Sequence, residues 1–161
     1  MRHRPSTVAS ILVCGCLCAL VTGAAGAAPA RGVSVMTACD ASPDRLDARD
    51  RALHGRIARR AATETLHRQG VGARRAGLVY RQLDVTVTRW RVARAAGRAD
   101  VTAEIRVVLC DGHGRMLSIA NGKATASGLD GELAALRELA IAEGVGHLIA
   151  RLGPQLVWTS A

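Results

Sequence analysis

The residues best suited to chemistry in this chain are arginines. At helical spacing Arg45, Arg49, Arg56, Arg59 and Arg60 fall within a sector of roughly 100°, with His67 on the same side and a Leu46/Leu53/Ile57 stripe along its border. Guanidinium forks match phosphate and carboxylate oxygens, so this face is a candidate site for anionic lipid head groups, acidic polymers or an acidic protein. Arg89, Arg91 and Arg94 lie on a neighbouring candidate strand and would extend it. A solvated helix face in an Arg-biased chain explains the same pattern. Of the 22 basic residues only Lys123 is a lysine, and Asp47 and Arg51 form an ordinary i,i+4 pair.

Other chemistry is poorly supplied. His54 and His67 stand about 220° apart around a helix and cannot share a metal ion. His113 sits between two glycines of a hairpin turn, and His147 lies beside Gly146 in the last helix, so no metal site is assigned. There is no Gly-x-Ser-x-Gly elbow, His-Glu-x-x-His pair or Ser-x-x-Lys motif, and Gly70-Val71-Gly72 lacks the strand and GK[ST] of a phosphate loop. Cys110 and His113 would form a thiol pair only if Cys110 were free. No enzyme activity and no cofactor are expected. Nucleic acid is disfavoured as a partner, because Tyr80, Trp90 and Trp158 are the only aromatic stacking groups.

The amino terminus reads as an address. Arg2, His3 and Arg4 open the chain, Val8 to Val21 carries no charge, and the small residues Ala25-Gly26-Ala27 and Ala28-Pro29-Ala30 follow. This is the order of a secretory signal peptide, and the apolar run is short of the roughly 20 residues a spanning helix needs. Residues 1–30 are therefore expected to leave on export, with cleavage near 27–30. Val13-Cys14-Gly15-Cys16 resembles a bacterial lipoprotein box, but the apolar stretch continues to Val21, which argues against lipidation there. A periplasmic or secreted protein is expected.

Export leaves Cys39 and Cys110, an even pair in an oxidising compartment and hence a disulfide candidate, worth about 4 kcal/mol in the chain-entropy model. Two separately buried thiols are the alternative. Removing the leader lowers the net charge from +9 to +7, with most of the positive charge between residues 45 and 98.

Residues 31–161, at 49% hydrophobic content over the whole chain, suit one domain. Val33 and Val35 suggest a short strand. Ser42-Pro43-Asp44 reads as a helix start, with Gly70 as its stop after Gln69. Three period-two segments follow. Leu83, Val85 and Val87 lead the first, with the pattern shifting to Trp90 and Val92 across a bulge near Thr88–Arg89. Val101 to Leu109 alternates most cleanly, and Leu117 and Ile119 open the third, with a bulge or bend at Asn121-Gly122. Ala96-Gly97-Arg98 and Asp111-Gly112-His113-Gly114 are hairpin joints, so a meander is expected. Ser127 and Asp130 resemble a capping box before a Leu/Ala-rich helix over residues 130–151, ended by Gly153-Pro154, with an apolar tail over 153–161. The expected fold is α+β, an antiparallel three- to four-stranded sheet under two helices, in the order β-α-β-β-β-α.

This layout, with the Asp111-Gly112-His113-Gly114-Arg115 turn and the Ala/Leu-rich final helix, resembles small exported domains of Gram-negative envelope proteins. It is also similar to the amino-terminal domain of the Tol-system translocation protein and to lipoproteins that activate penicillin-binding proteins. The resemblance covers about residues 32–152. It implies non-catalytic binding or scaffolding in the envelope, with an envelope protein or an anionic envelope component as partner, and carries over no site residue.

Overall fold

Alternating apolar side chains become strands that bury one face only, and the computed structural model, which describes residues 32–72 and 79–156, shows this in three of its four strands. The elements are β1 (Gly32–Asp40), α1 (Ala48–Arg68), β2 (Val79–Ala95), β3 (Arg98–Asp111), β4 (Met116–Leu129), a 3-10 turn (Asp130–Glu132) and α2 (Leu133–Leu156). The sheet order is β1-β2-β3-β4. The sequence-derived element order is therefore found, but the sheet is mixed. β2, β3 and β4 form the expected antiparallel meander, whereas β1 pairs in parallel with β2. The reason lies in the connections. Tight turns reverse the chain between β2, β3 and β4, while α1 carries it back from the end of β1 to the start of β2, as a parallel pairing requires.

Local chemistry sets the joints. Ala96 and Gly97 both have positive φ, 47° and 76°, which is the left-handed pair a two-residue hairpin turn demands. The β2–β3 register shifts between Val87 and Arg89, at the bulge expected from the sequence. Before it Leu83, Val85 and Val87 face the helices; after it Trp90 does, buried like them. No irregularity occurs at Asn121-Gly122, which pair in step with Arg106 and Ile105. Gly122 instead makes room for α2, since a Cβ there would lie 2.9 Å from Leu148 Cδ2.

Three helix boundaries differ from the sequence-derived ones. α1 starts at Ala48 rather than after Ser42, because Asp47 caps it by accepting from the Asp50 N–H at 2.7 Å. Ser42 to Asp44 are drawn instead into a polar loop around Arg51. At the other end Gln69 and Gly70 close the helix as expected, Gly70 with φ 72°. Ser127 is no cap; it lies on β4 opposite Asp100. Pro154 sits inside α2, which continues to Leu156. The carbonyl deprived of a donor there belongs to Ala150, an exposed residue.

Both helices cover the same face of the sheet. α1 packs on β1 and α2, and α2 packs on β3 and β4. Val85, Val87, Val101, Ile105, Val107, Ile141, Val145 and Ile149 are the centre of the core. The other face, with Thr86, Thr102, Arg106, Asn121, Lys123 and Thr125, is covered by no described element.

Candidate functional site

Where β1 ends and α1 begins, two side chains and one main-chain N–H converge on one carboxylate. Asp40 is the last residue of β1 and its side chain is fully buried. Its Oδ2 accepts from His54 Nδ1 at 2.7 Å and from Trp90 Nε1 at 2.9 Å, and its Oδ1 accepts from the Ser42 main-chain N–H at 2.9 Å. His54 comes from the second turn of α1, and Trp90 reaches the site because the Thr88–Arg89 bulge turns it towards the helices. The two rings lie 5.0 Å apart at 52°. Asp44 accepts from the Trp90 main-chain N–H at 3.0 Å, tying the loop to β2. Arg51 donates to the carbonyls of Asp40, Ser42 and Asp44 at 3.3, 2.7 and 2.7 Å and so fixes the loop's course. Arg137 of α2 lies over the Trp90 ring, 5.8 Å from its centre.

Burial alone would push the Asp40 carboxyl up. Hydrogen bonds from His54, Trp90 and Ser42 outweigh it and hold the group well below the ordinary carboxylate range. Asp40 is thus an ionised acceptor, and Nδ1 of His54 carries the hydrogen between them. Such a pair is the orienting half of an acid–base relay. Its other half is not assembled here: the Ser42 hydroxyl is buried with no hydrogen-bond partner, so it does not engage the imidazole. No group of three or more His, Cys, Asp or Glu among the described residues is placed to hold a metal ion. What the arrangement does is clasp β1, α1 and β2 together through one charge.

The arginines singled out from sequence do not form one continuous face. Arg45 precedes α1 and is exposed; Arg49 and Arg56 are exposed on it. Arg59 turns to β1 and donates to the carbonyls of Val35 and Met36 at 2.7 and 2.8 Å, blunting that free sheet edge. Arg60 pairs with Glu138 of α2 at 2.9 Å.

The expected Cys39–Cys110 bridge is not formed, and both thiols are free. The topology explains why. Cys39 on β1 is opposite Thr86 of β2, and Cys110 on β3 is opposite Gln82 of β2, so a whole strand and four residues of register separate them. Burial pushes the Cys110 thiol up, with the Asp84 and Asp111 carboxylates adding to it.

The remaining histidines stay apart from the clasp. His67 Nδ1 packs against Gly72, where a Cβ would lie 2.9 Å away. His113 sits in the β3–β4 turn, its N–H bonded to Asp111 Oδ1 at 2.9 Å. His147 lines a groove between α1 and α2 with Glu64 and Glu143. In the sequence His54 stands out only as a residue with no chelating partner, and Trp90 only as a stacking group and a sign of the bulge. Trp158 and the leader lie outside the described residues.

No protein-family model matches the chain, and no curated protein sequence is similar to it. Among solved structures it is similar to a hypothetical protein of Chlamydia trachomatis (TM-score 0.54, 11% identity, 78% of this chain and 98% of that one). It is also similar to a minor lipoprotein of Acinetobacter baumannii (TM-score 0.50, 10% identity, 83% of this chain and 98% of that one). At these identities the likeness is one of fold, and at that level the expected resemblance to small envelope proteins of Gram-negative bacteria is borne out.

Proposed function

We propose that this chain is an exported, non-catalytic binding or scaffold protein of the bacterial envelope. The observation that carries the proposal is the use made of the buried Asp40–His54 pair: its carboxylate accepts from donors of α1, β2 and the intervening loop, which suits a structural clasp. The basic, apolar and small-residue order of the leader supports export. No helix among the described residues is long and apolar enough to cross a membrane. Acylation at Cys16 and release after cleavage near residues 27–30 leave the same folded domain; palmitate incorporation lost in Cys16→Ser identifies the former. Reciprocal crosslinking and capture from the native envelope tests the binding role. A stoichiometric partner retained by a His54→Gln variant below its unfolding temperature is the expected result. A His54→Gln protein of unchanged stability that has lost its cellular role would place chemistry at His54 and overturn the proposal.

A second reading, binding of anionic surfaces through α1, is favoured by one observation. Arg49 and Arg56 are exposed and have no carboxylate partner among the described residues. Salt-sensitive adsorption to anionic vesicles is its test.

A further inference from the structure

Beside the clasp, the free edge of β1 and the near face of α1 enclose a groove of about 310 Å³, into which Arg51, Arg56 and Arg59 project among Ala38, Ala52 and Gly55. The groove is open because Gly55 has no side chain: a Cβ there would stand 2.7 Å from the Ala38 carbonyl oxygen, so α1 lies close on the strand edge and its longer side chains flank it. None of these three arginines meets a carboxylate among the described residues. Arg60, Arg91, Arg94 and Arg115 each meet a carboxylate. Arg51 and Arg59 meet only main-chain carbonyls, and Arg56 has no polar partner among the described residues. Carbonyls orient a guanidinium without neutralising it. Each of the two retains unused N–H donors, since a guanidinium has five and Arg51 uses three and Arg59 two. The one carboxylate at the groove, Asp40, already accepts three hydrogen bonds, from His54, Trp90 and the Ser42 main chain.

Uncompensated guanidinium groups around a small concavity suit an oxyanion, and for Arg51 and Arg59 the main-chain carbonyls meet the ordering cost before the ligand arrives. We propose that the α1–β1 groove binds a phosphate-type oxyanion through Arg51, Arg56 and Arg59. The proposal rests on the second reading above and moves its centre from the outward arginines Arg45, Arg49 and Arg60 to the groove.

The test uses the folded exported protein with two probes: inorganic phosphate by calorimetry, and phosphatidylglycerol-containing vesicles by flotation. Arg56→Gln removes no hydrogen bond or ion pair among the described residues and should leave the unfolding temperature unchanged while weakening phosphate binding about tenfold. Arg59→Gln should weaken it similarly, and Arg115→Gln, at the far hairpin, should not. Binding of phosphate without vesicle flotation identifies a free anion as the source; flotation that inorganic phosphate competes away identifies a lipid head group. Either supports the groove. Absence of binding to both probes, or an Arg56→Gln protein that binds like the parent, overturns it. Vesicle adsorption that survives Arg56→Gln and Arg59→Gln but is lost in an Arg45→Gln/Arg49→Gln/Arg60→Gln variant overturns the groove and leaves the broader surface reading intact.

Discussion

Asp40 and His54 meet at 2.7 Å across the joint between the end of β1 and the second turn of α1, with neither side chain more than 5% exposed. That contact joins a parallel edge strand to the helix that crosses over it, and Trp90 brings β2 to the same oxygen. A single charge therefore ties together three elements of the fold.

Loss of the charge should be costly. Asp40→Ala leaves His54 and the Trp90 indole as buried donors without an acceptor and should destabilise the fold by about 3–5 kcal/mol. Trp90→Phe removes one donor of three and should cost about 1–3 kcal/mol, including lost packing around the ring. Urea unfolding followed by circular dichroism measures both, and a smaller loss for Asp40→Ala than for Trp90→Phe would contradict the clasp.

The pH dependence follows from the same group. An ordinary aspartate titrates near 3.8, and Asp40 in the folded chain is held well below that value. The unfolded chain therefore takes up the proton first. The stability Asp40 contributes is complete above 3.8 and declines as the pH falls below it towards the folded value. Asp40→Asn should flatten the loss of stability between about pH 5 and about pH 2.5. Denaturant midpoints across that range report it, and parallel curves for parent and variant would refute the assignment.

Two glycines separate backbone from side-chain crowding. A Cβ on Gly55 would meet the Ala38 carbonyl oxygen at 2.7 Å, and neither α1 nor β1 can yield without disturbing the clasp. A Cβ on Gly144 would meet Ile105 Cδ1 at 2.6 Å, the movable end of a side chain. Gly55→Ala should cost about 2–3 kcal/mol, while helix propensity offsets part of a smaller cost in Gly144→Ala. Thermal unfolding of the two variants gives the order, and equal or reversed losses would argue against the close β1–α1 approach.

The thiols offer a fourth check. Cys39 is half-buried, whereas Cys110 is buried and its thiol is pushed up. Maleimide labelling of the folded, unreduced protein should find both free and modify Cys39 first. A mass 2 Da short of two thiols would restore the bridge that the register excludes.

The fold was legible wherever period and turn chemistry are local. The Val101–Leu109 alternation, the Ala96-Gly97 turn and the Thr88–Arg89 bulge all appear in the structure where the sequence places them. β1 was misjudged because its partner is chosen by the α1 crossover and not by any neighbouring residue. Ser42-Pro43-Asp44 carries helix-start chemistry, yet Asp47 wins the cap because Arg51 holds the preceding loop by its carbonyls. The clasp is illegible for the same reason: His54 and Trp90 are 14 and 50 residues from Asp40 along the chain, and only the finished sheet brings them together. The arginine face was read from helical angles, which say nothing of Arg59 reaching the β1 edge or Arg60 reaching Glu138.

The claim on which the account turns is that a processed chain works outside the cytoplasm by binding. Intact-mass analysis of the native protein from fractionated cells tests it most directly. A species beginning near residues 27–30 in the envelope or external fraction is the predicted result. An unprocessed chain starting at Met1 in the cytosolic fraction would contradict it.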